Sequence, residues 1–190
     1  MSNIYFFRPG TTANKENVFL GWTNALLSKK GFLEAERVAK KLSGKNIDYA
    51  FCSDQLRGKQ ALIEVMKYHP NAKIIIDSRL REKHHGVYTG VSKNLLKKHF
   101  PKKYAELRSN YYVHVLGGEN MLELSKRVFF FMNDLMIFAD EEDADILVCA
   151  HTNPMRLIRQ YFDNLGQSEV MLVQHPPHKH LHYKVKFGKK

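Results

Sequence analysis

The 190-residue chain is 44% hydrophobic and 26% charged, a globular balance that excludes wholesale disorder, and its length suits one domain, 1–190, whose core needs no disulfide or metal staple. Thirty Lys and Arg against nineteen Asp and Glu give a formal net charge of +11, which favours anionic partners: phosphorylated metabolites, nucleic acid or acidic lipid. No apolar run approaches the roughly 20 residues of a membrane span, and Met1-Ser2-Asn3 leads straight into a strand-like run, so the expectation is a cytoplasmic protein with no signal peptide and no membrane.

In chain order, Asn3 to Phe7 reads as a strand ended by Arg8-Pro9-Gly10. Gly31 to Leu42 places Phe32, Ala35, Val38, Ala39 and Leu42 at helical spacing, with Gly44 as the stop. Ile47 to Cys52 is a second strand, Gln55 to Met66 a second helix and Lys73 to Asp77 a third strand. Ser92 to Phe100 reads as a helix closed by Pro101, so the basic run Lys97 to Tyr104 is expected to be a helix end and turn with a solvated face. From Asn120 to Phe138 a long helix puts Leu124, Val128, Phe131, Leu135 and Phe138 on a core-facing stripe.

Asp145 to Ala150 is a further strand. After it, His151-Thr152-Asn153-Pro154 reads as a cap followed by proline at the first helical position, a helix that ends by Asn164. His180 to Phe187 is the last strand. Cys52 and Cys149 both sit in apolar strands, where a buried reduced thiol is expected. The repeated β-α alternation argues an α/β fold with a mostly parallel sheet and helices on both faces. Ligands of such sheets bind outside the carboxyl ends of the strands, where Arg8, Ser53 to Arg57 and His151 all fall.

Those residues suit an anion. Arg8 and Arg57 are planar forks for bidentate capture of a phosphate, and His151 can donate to the same oxygens. Backbone amides of Gly10-Thr11-Thr12 would add donors. Glu82 would protonate a leaving group if burial raised its pKa. His175, His178, His180 and His182 invite a metal, since alternate spacing aligns the last three on one strand face. No carboxylate or cysteine accompanies them, and no metal or other cofactor is expected.

The motifs that carry these residues resemble the histidine phosphatase superfamily, which includes cofactor-dependent phosphoglycerate mutase and fructose-2,6-bisphosphatase. Phe7-Arg8-Pro9-Gly10-Thr11-Thr12-Ala13-Asn14 stands at the family's Arg-His-Gly signature. Leu20 to Leu27 with Lys30-Gly31, Ser53 to Arg57 with Gln60, Leu80-Arg81-Glu82 with His85-Gly86, Gly117-Gly118-Glu119 with Arg127, and Val148 to His151 follow in the family's order. The resemblance implies a phosphoglycerate mutase-like fold, with roughly residues 83–118 contributing a small cap over the site. It implies that Arg8, Arg57 and His151 ring the phosphate and that Glu82 donates a proton. Gly10, Thr11, Asn14, His85, Tyr111 and Asn153 would also contact substrate. The partner it implies is a phosphorylated small molecule or inorganic phosphate, and a homodimer stays open.

The nucleophilic histidine of that family would stand at position 9, and position 9 is proline. A peptide-bound proline offers no lone pair to phosphorus, and its ring fixes φ and removes an N–H. Leu20, His114, Gly117 and Asn120 depart from the family's substrate-contacting residues as well. The expectation is therefore a phosphate-binding protein that has lost phosphohistidine chemistry. One alternative is an active phosphomonoesterase or mutase-like enzyme using water or a displaced nucleophile, His84 or His85. Another is a basic module for nucleic acid, which no RNA-binding motif accompanies.

Overall fold

The computed structural model describes residues 1–14 and 17–188. Its sheet runs in the order β3-β2-β4-β1-β5, with β1 at Ser2–Phe7, β2 at Tyr49–Cys52, β3 at Lys73–Ile76, β4 at Ile146–Cys149 and β5 at His180–Val185. The first four strands are mutually parallel where they pair, and β5 lies antiparallel on β1, from Ser2 opposite Val185 to Phe7 opposite His180. The helices are α1 (Lys29–Leu42), α2 (Leu56–Met66), α3 (Lys93–His99), α4 (Pro101–Ser109), α5 (Met121–Glu141), α6 (Thr152–Asp163) and α7 (Gln167–Leu172). None is long and apolar enough to cross a membrane among the described residues.

Strand alternation divides the core into two layers. Ile4, Phe6, Ile146 and Val148 face α5 and α6, joined by Phe131, Leu135, Leu157 and Ile158. Tyr5, Phe7, Leu147 and Cys149 point the other way, onto Val38, Leu42, Leu62 and Val65 of α1 and α2. Cys52 and Cys149 are buried and unbridged, and burial pushes the Cys52 thiol up to about 12.

Local signals account for the helix starts. Ser28 caps α1 through the Gly31 N–H (3.0 Å), and Asn120 with Glu123 closes a capping box at α5 with two bonds of 2.8 Å.

Several expected boundaries shift. Pro101 opens α4 instead of merely ending α3, because proline suits a first-turn position that needs no N–H, so the basic run is a helix-to-helix joint. Pro154 stands at the third position of α6, with His151 itself as the N-cap. The missing N–H is again one that no helical carbonyl would have received. α7 has no counterpart among the expected elements, being six residues long and set by the Gly166 N–H donating to Glu169 (2.7 Å). Of the C-terminal histidines only His180 and His182 lie on β5, where they pack on the Tyr5 ring. His178 precedes the strand, so three imidazoles do not share its face.

Candidate phosphate site

The four parallel strands deliver their exits to one end of the sheet. β1 delivers Arg8 and Pro9, β2 leads through Ser53 to Arg57 at the start of α2, and β4 delivers His151. From β3 a 3₁₀ turn, Ser78–Leu80, leads to Glu82. Between them lies a cavity of about 430 Å³. Its walls include Arg8, Pro9, Gly10, Thr11, Asn14, Arg57, Glu82, His85, His151 and Asn153, so nearly all the expected residues meet.

Tyr111 does not line it. Its ring is buried in the core layer under α5, and its hydroxyl reaches Gln160 at 3.4 Å. His84 is also outside the lining: its Nδ1 accepts from the Gly86 N–H (3.2 Å) and its ring sits edge-on to Trp22. His85 does face the cavity, edge-on to Phe19.

Each cation is braced by carbonyls that leave part of its fork free. Arg57 donates through Nη1 to Thr23 O (2.7 Å) and through Nη2 to Gly21 O (2.8 Å). Arg8 donates through Nε to His175 O (2.6 Å). Burial lowers the pKa of both guanidiniums, opposed chiefly by Glu82. His151 is buried with its Nε2 2.7 Å from Ser53 Oγ. Burial first, then Arg57, pushes its pKa down to about 3 against the pull of Glu82, so the ring is neutral near pH 7. Burial likewise takes His85 down to about 4.

Glu82 departs from expectation. Burial alone would raise its carboxyl, but His151, His85, the Lys83 N–H and Arg57 hold it down at about 2. The donors are explicit. Oε1 accepts from Lys83 N (2.8 Å), Asn153 N (3.1 Å) and Asn153 Nδ2 (3.0 Å), and Oε2 from Thr152 N (3.1 Å). The carboxylate thus serves as the cap that the His151 side chain does not provide for α6, at the positive end of the helix. Glu82 is therefore an ionised acceptor near pH 7 and not the raised acid that burial alone would make.

Thr11 departs too. Its N–H and hydroxyl donate to Glu34 Oε2 at 2.7 and 3.0 Å, so neither is free for an anion. The loop is pressed against α1 so closely that a Cβ on Gly31 would stand 2.1 Å from Thr11 O.

Sequence reasoning placed Arg127, Glu119 and Gln55 in motifs without giving them a role, and it did not single out the further cations of the wall. Arg127 binds Glu119 through Nε and Nη2 (2.8 and 2.9 Å) and donates to the carbonyls of Arg79, Arg81 and Glu82, fixing the loop that carries the carboxylate. Gln55 accepts from the Glu82 N–H (2.8 Å) and donates to Gly21 O (2.9 Å). Lys83, Lys93, Arg108 and Arg156 add four further cations to the wall. Lys83 could have been suspected from its place beside Glu82. The other three have no local signal and arrive through α3, α4 and α6.

A family model described as "Histidine phosphatase superfamily (branch 1)" matches residues 4–189. A 2,3-bisphosphoglycerate-dependent phosphoglycerate mutase of Pseudoalteromonas atlantica is 24% identical over 199 residues, covering 90% of this chain and 88% of that protein. Among solved structures, Bacillus stearothermophilus YhfR superposes with a TM-score of 0.87 at 19% identity, over 98% of this chain and 92% of that one. Mycobacterial glucosyl-3-phosphoglycerate phosphatase in complex with inorganic phosphate gives a TM-score of 0.81 at 18% identity, over 96% and 89%.

Proposed function

The chain belongs to the histidine phosphatase superfamily, and from that premise we propose that it binds phosphate or a phosphorylated small molecule in the cytoplasm without phosphohistidine turnover. The observation that carries this reading is Pro9, buried in the cavity wall beside Arg8. The forks of Arg8 and Arg57 with His151 hold the phosphoryl oxygens, while position 9 offers no nitrogen lone pair in line with phosphorus. Gly10, Thr11 and Asn14 shape the loop around the anion, and Asn153 holds Glu82. The segment 83–118 serves as the cap, bringing Lys83, His85, Lys93 and Arg108 over the ligand. A dianion seated beside Glu82 raises its carboxyl, which would let the residual site donate a proton to an ester oxygen.

The test is calorimetric titration with inorganic phosphate and a panel of phosphomonoesters, run beside an assay of phosphate release. Binding without release is expected; the absence of any phosphate binding overturns the reading. A second reading, slow hydrolysis through His85, is favoured only by that ring's neutral state and place in the wall. It requires turnover by the unaltered chain that His85→Ala abolishes.

A further inference from the structure

The joint between α3 and α4 gathers charge that the cavity does not use. Lys97, Lys98, His99 and Lys102 are exposed there, and the two helices carry a single carboxylate, Glu106, which Lys103 holds at 2.8 Å. Among the described residues no carboxylate pairs with Lys97, Lys98 or Lys102. Two large apolar side chains stand out of the same joint. Phe100, at once the last cap of α3 and the first of α4, is 63% exposed, and Leu95 is 56% exposed. Leu95 shares a helix face with Lys98 and His99, three and four positions on. Leu96 is buried beneath them and its carbonyl accepts from the Phe100 N–H at 2.8 Å, so the corner projects from a fixed base.

The place of the joint adds a direction. The same helices supply Lys93, Leu107 and Arg108 to the cavity wall, so the joint belongs to the carboxyl end of the parallel strands. The opposite end bears the exposed acidic run Asp140-Glu141-Glu142-Asp143, where α5 leads into β4, and Lys45 and Lys73 offset it only in part. An anionic surface therefore attracts the joint and repels the far end.

Lysines around a projecting phenylalanine and leucine fit a lipid headgroup layer. The ammoniums meet its phosphates while the apolar side chains enter the acyl boundary. Nucleic acid would leave Leu95 in water and favours arginine forks, and the one arginine of these helices, Arg108, lines the cavity.

We propose that the α3–α4 joint is a peripheral anchor for an anionic phospholipid surface, with Lys97, Lys98 and Lys102 on the headgroups and Phe100 and Leu95 inserted. The anchor lies on the bilayer and does not cross it, and it departs from the expectation of no membrane drawn from hydropathy. It is independent of the phosphate reading.

The test is co-sedimentation of the full chain with vesicles of phosphatidylcholine alone and of phosphatidylcholine with phosphatidylserine in equal parts. Binding to the mixed vesicles only is expected, weakening as salt is added. Lys97→Glu with Lys98→Glu should weaken it roughly 30-fold or more, and Phe100→Ser roughly tenfold. None of these residues lines the cavity, so circular dichroism and phosphate titration should stay those of the unaltered chain. No binding to the mixed vesicles overturns the proposal. So does binding that survives the lysine reversal, or a Phe100→Ser variant that binds as before, which leaves general charge attraction alone. Tighter retention of an RNA oligonucleotide than of the mixed vesicles at the same salt, lost with the same lysines, overturns it in favour of a nucleic-acid surface.

Discussion

Glu82 and Asn153 are joined twice, the backbone N–H and the side-chain amide of Asn153 both donating to Oε1 at 3.1 and 3.0 Å. The pair ties the loop after β3 to the first turn of α6, immediately after His151. It keeps ionised the one carboxylate that the described residues bring to the cationic cavity wall. With His151 and His85 neutral near pH 7, these N–H donors and Arg57 hold that charge.

Acid should therefore unfold the protein from the site outward. His151 falls from 6.5 to about 3, His85 from 6.5 to about 4 and Glu82 from 4.5 to about 2. Each group binds fewer protons folded than unfolded, so its contribution is complete above the unfolded value and is lost as pH falls toward the folded one. The melting temperature should hold above about pH 6.5 and decline steadily below it. A His151→Asn variant should show a shallower decline between pH 6.5 and 4, by up to about one proton. Thermal melts across that range read both.

Arg57→Lys keeps a positive charge but loses the fork and one of the two carbonyl bonds to Gly21 and Thr23. Phosphate affinity should drop by about tenfold or more, measured by calorimetry, with the fold retained by circular dichroism.

Arg127 does not line the cavity, yet Arg127→Ala strands the Glu119 carboxylate and the carbonyls of Arg79, Arg81 and Glu82. A loss of about 2–4 kcal/mol in denaturant unfolding is expected, together with weaker phosphate binding as Glu82 loosens.

Gly31→Ala should cost about 1–3 kcal/mol, because its Cβ would collide with the Thr11 carbonyl and push the loop after β1 off α1. The same denaturant series measures it.

Much of this was legible in the chain. The five strands and the long helices are legible, because Phe7, Cys52 and Cys149 end short continuous apolar runs, as strands buried on both faces do, while the helices carry apolar residues at helical spacing. The convergence of Arg8, Arg57 and His151 followed from strand ends alone. Other features depended on tertiary partners. Thr11 is consumed by Glu34, a residue 23 positions away. The charge state of Glu82 is set by α6, about 70 positions on, and the six-residue α7 is too short to show a period. Tyr111 turns into the core layer with Met121 and Leu124 of α5, a placement set by tertiary packing that its local sequence does not show.

The most direct test is phosphate release from a panel of phosphomonoesters by this chain and by its Pro9→His variant. The account predicts phosphate binding by both and turnover only by the variant, with a gain on the order of 10⁴–10⁶ if the rest of the site is intact. Turnover by the unaltered chain at a rate the variant does not exceed would contradict it.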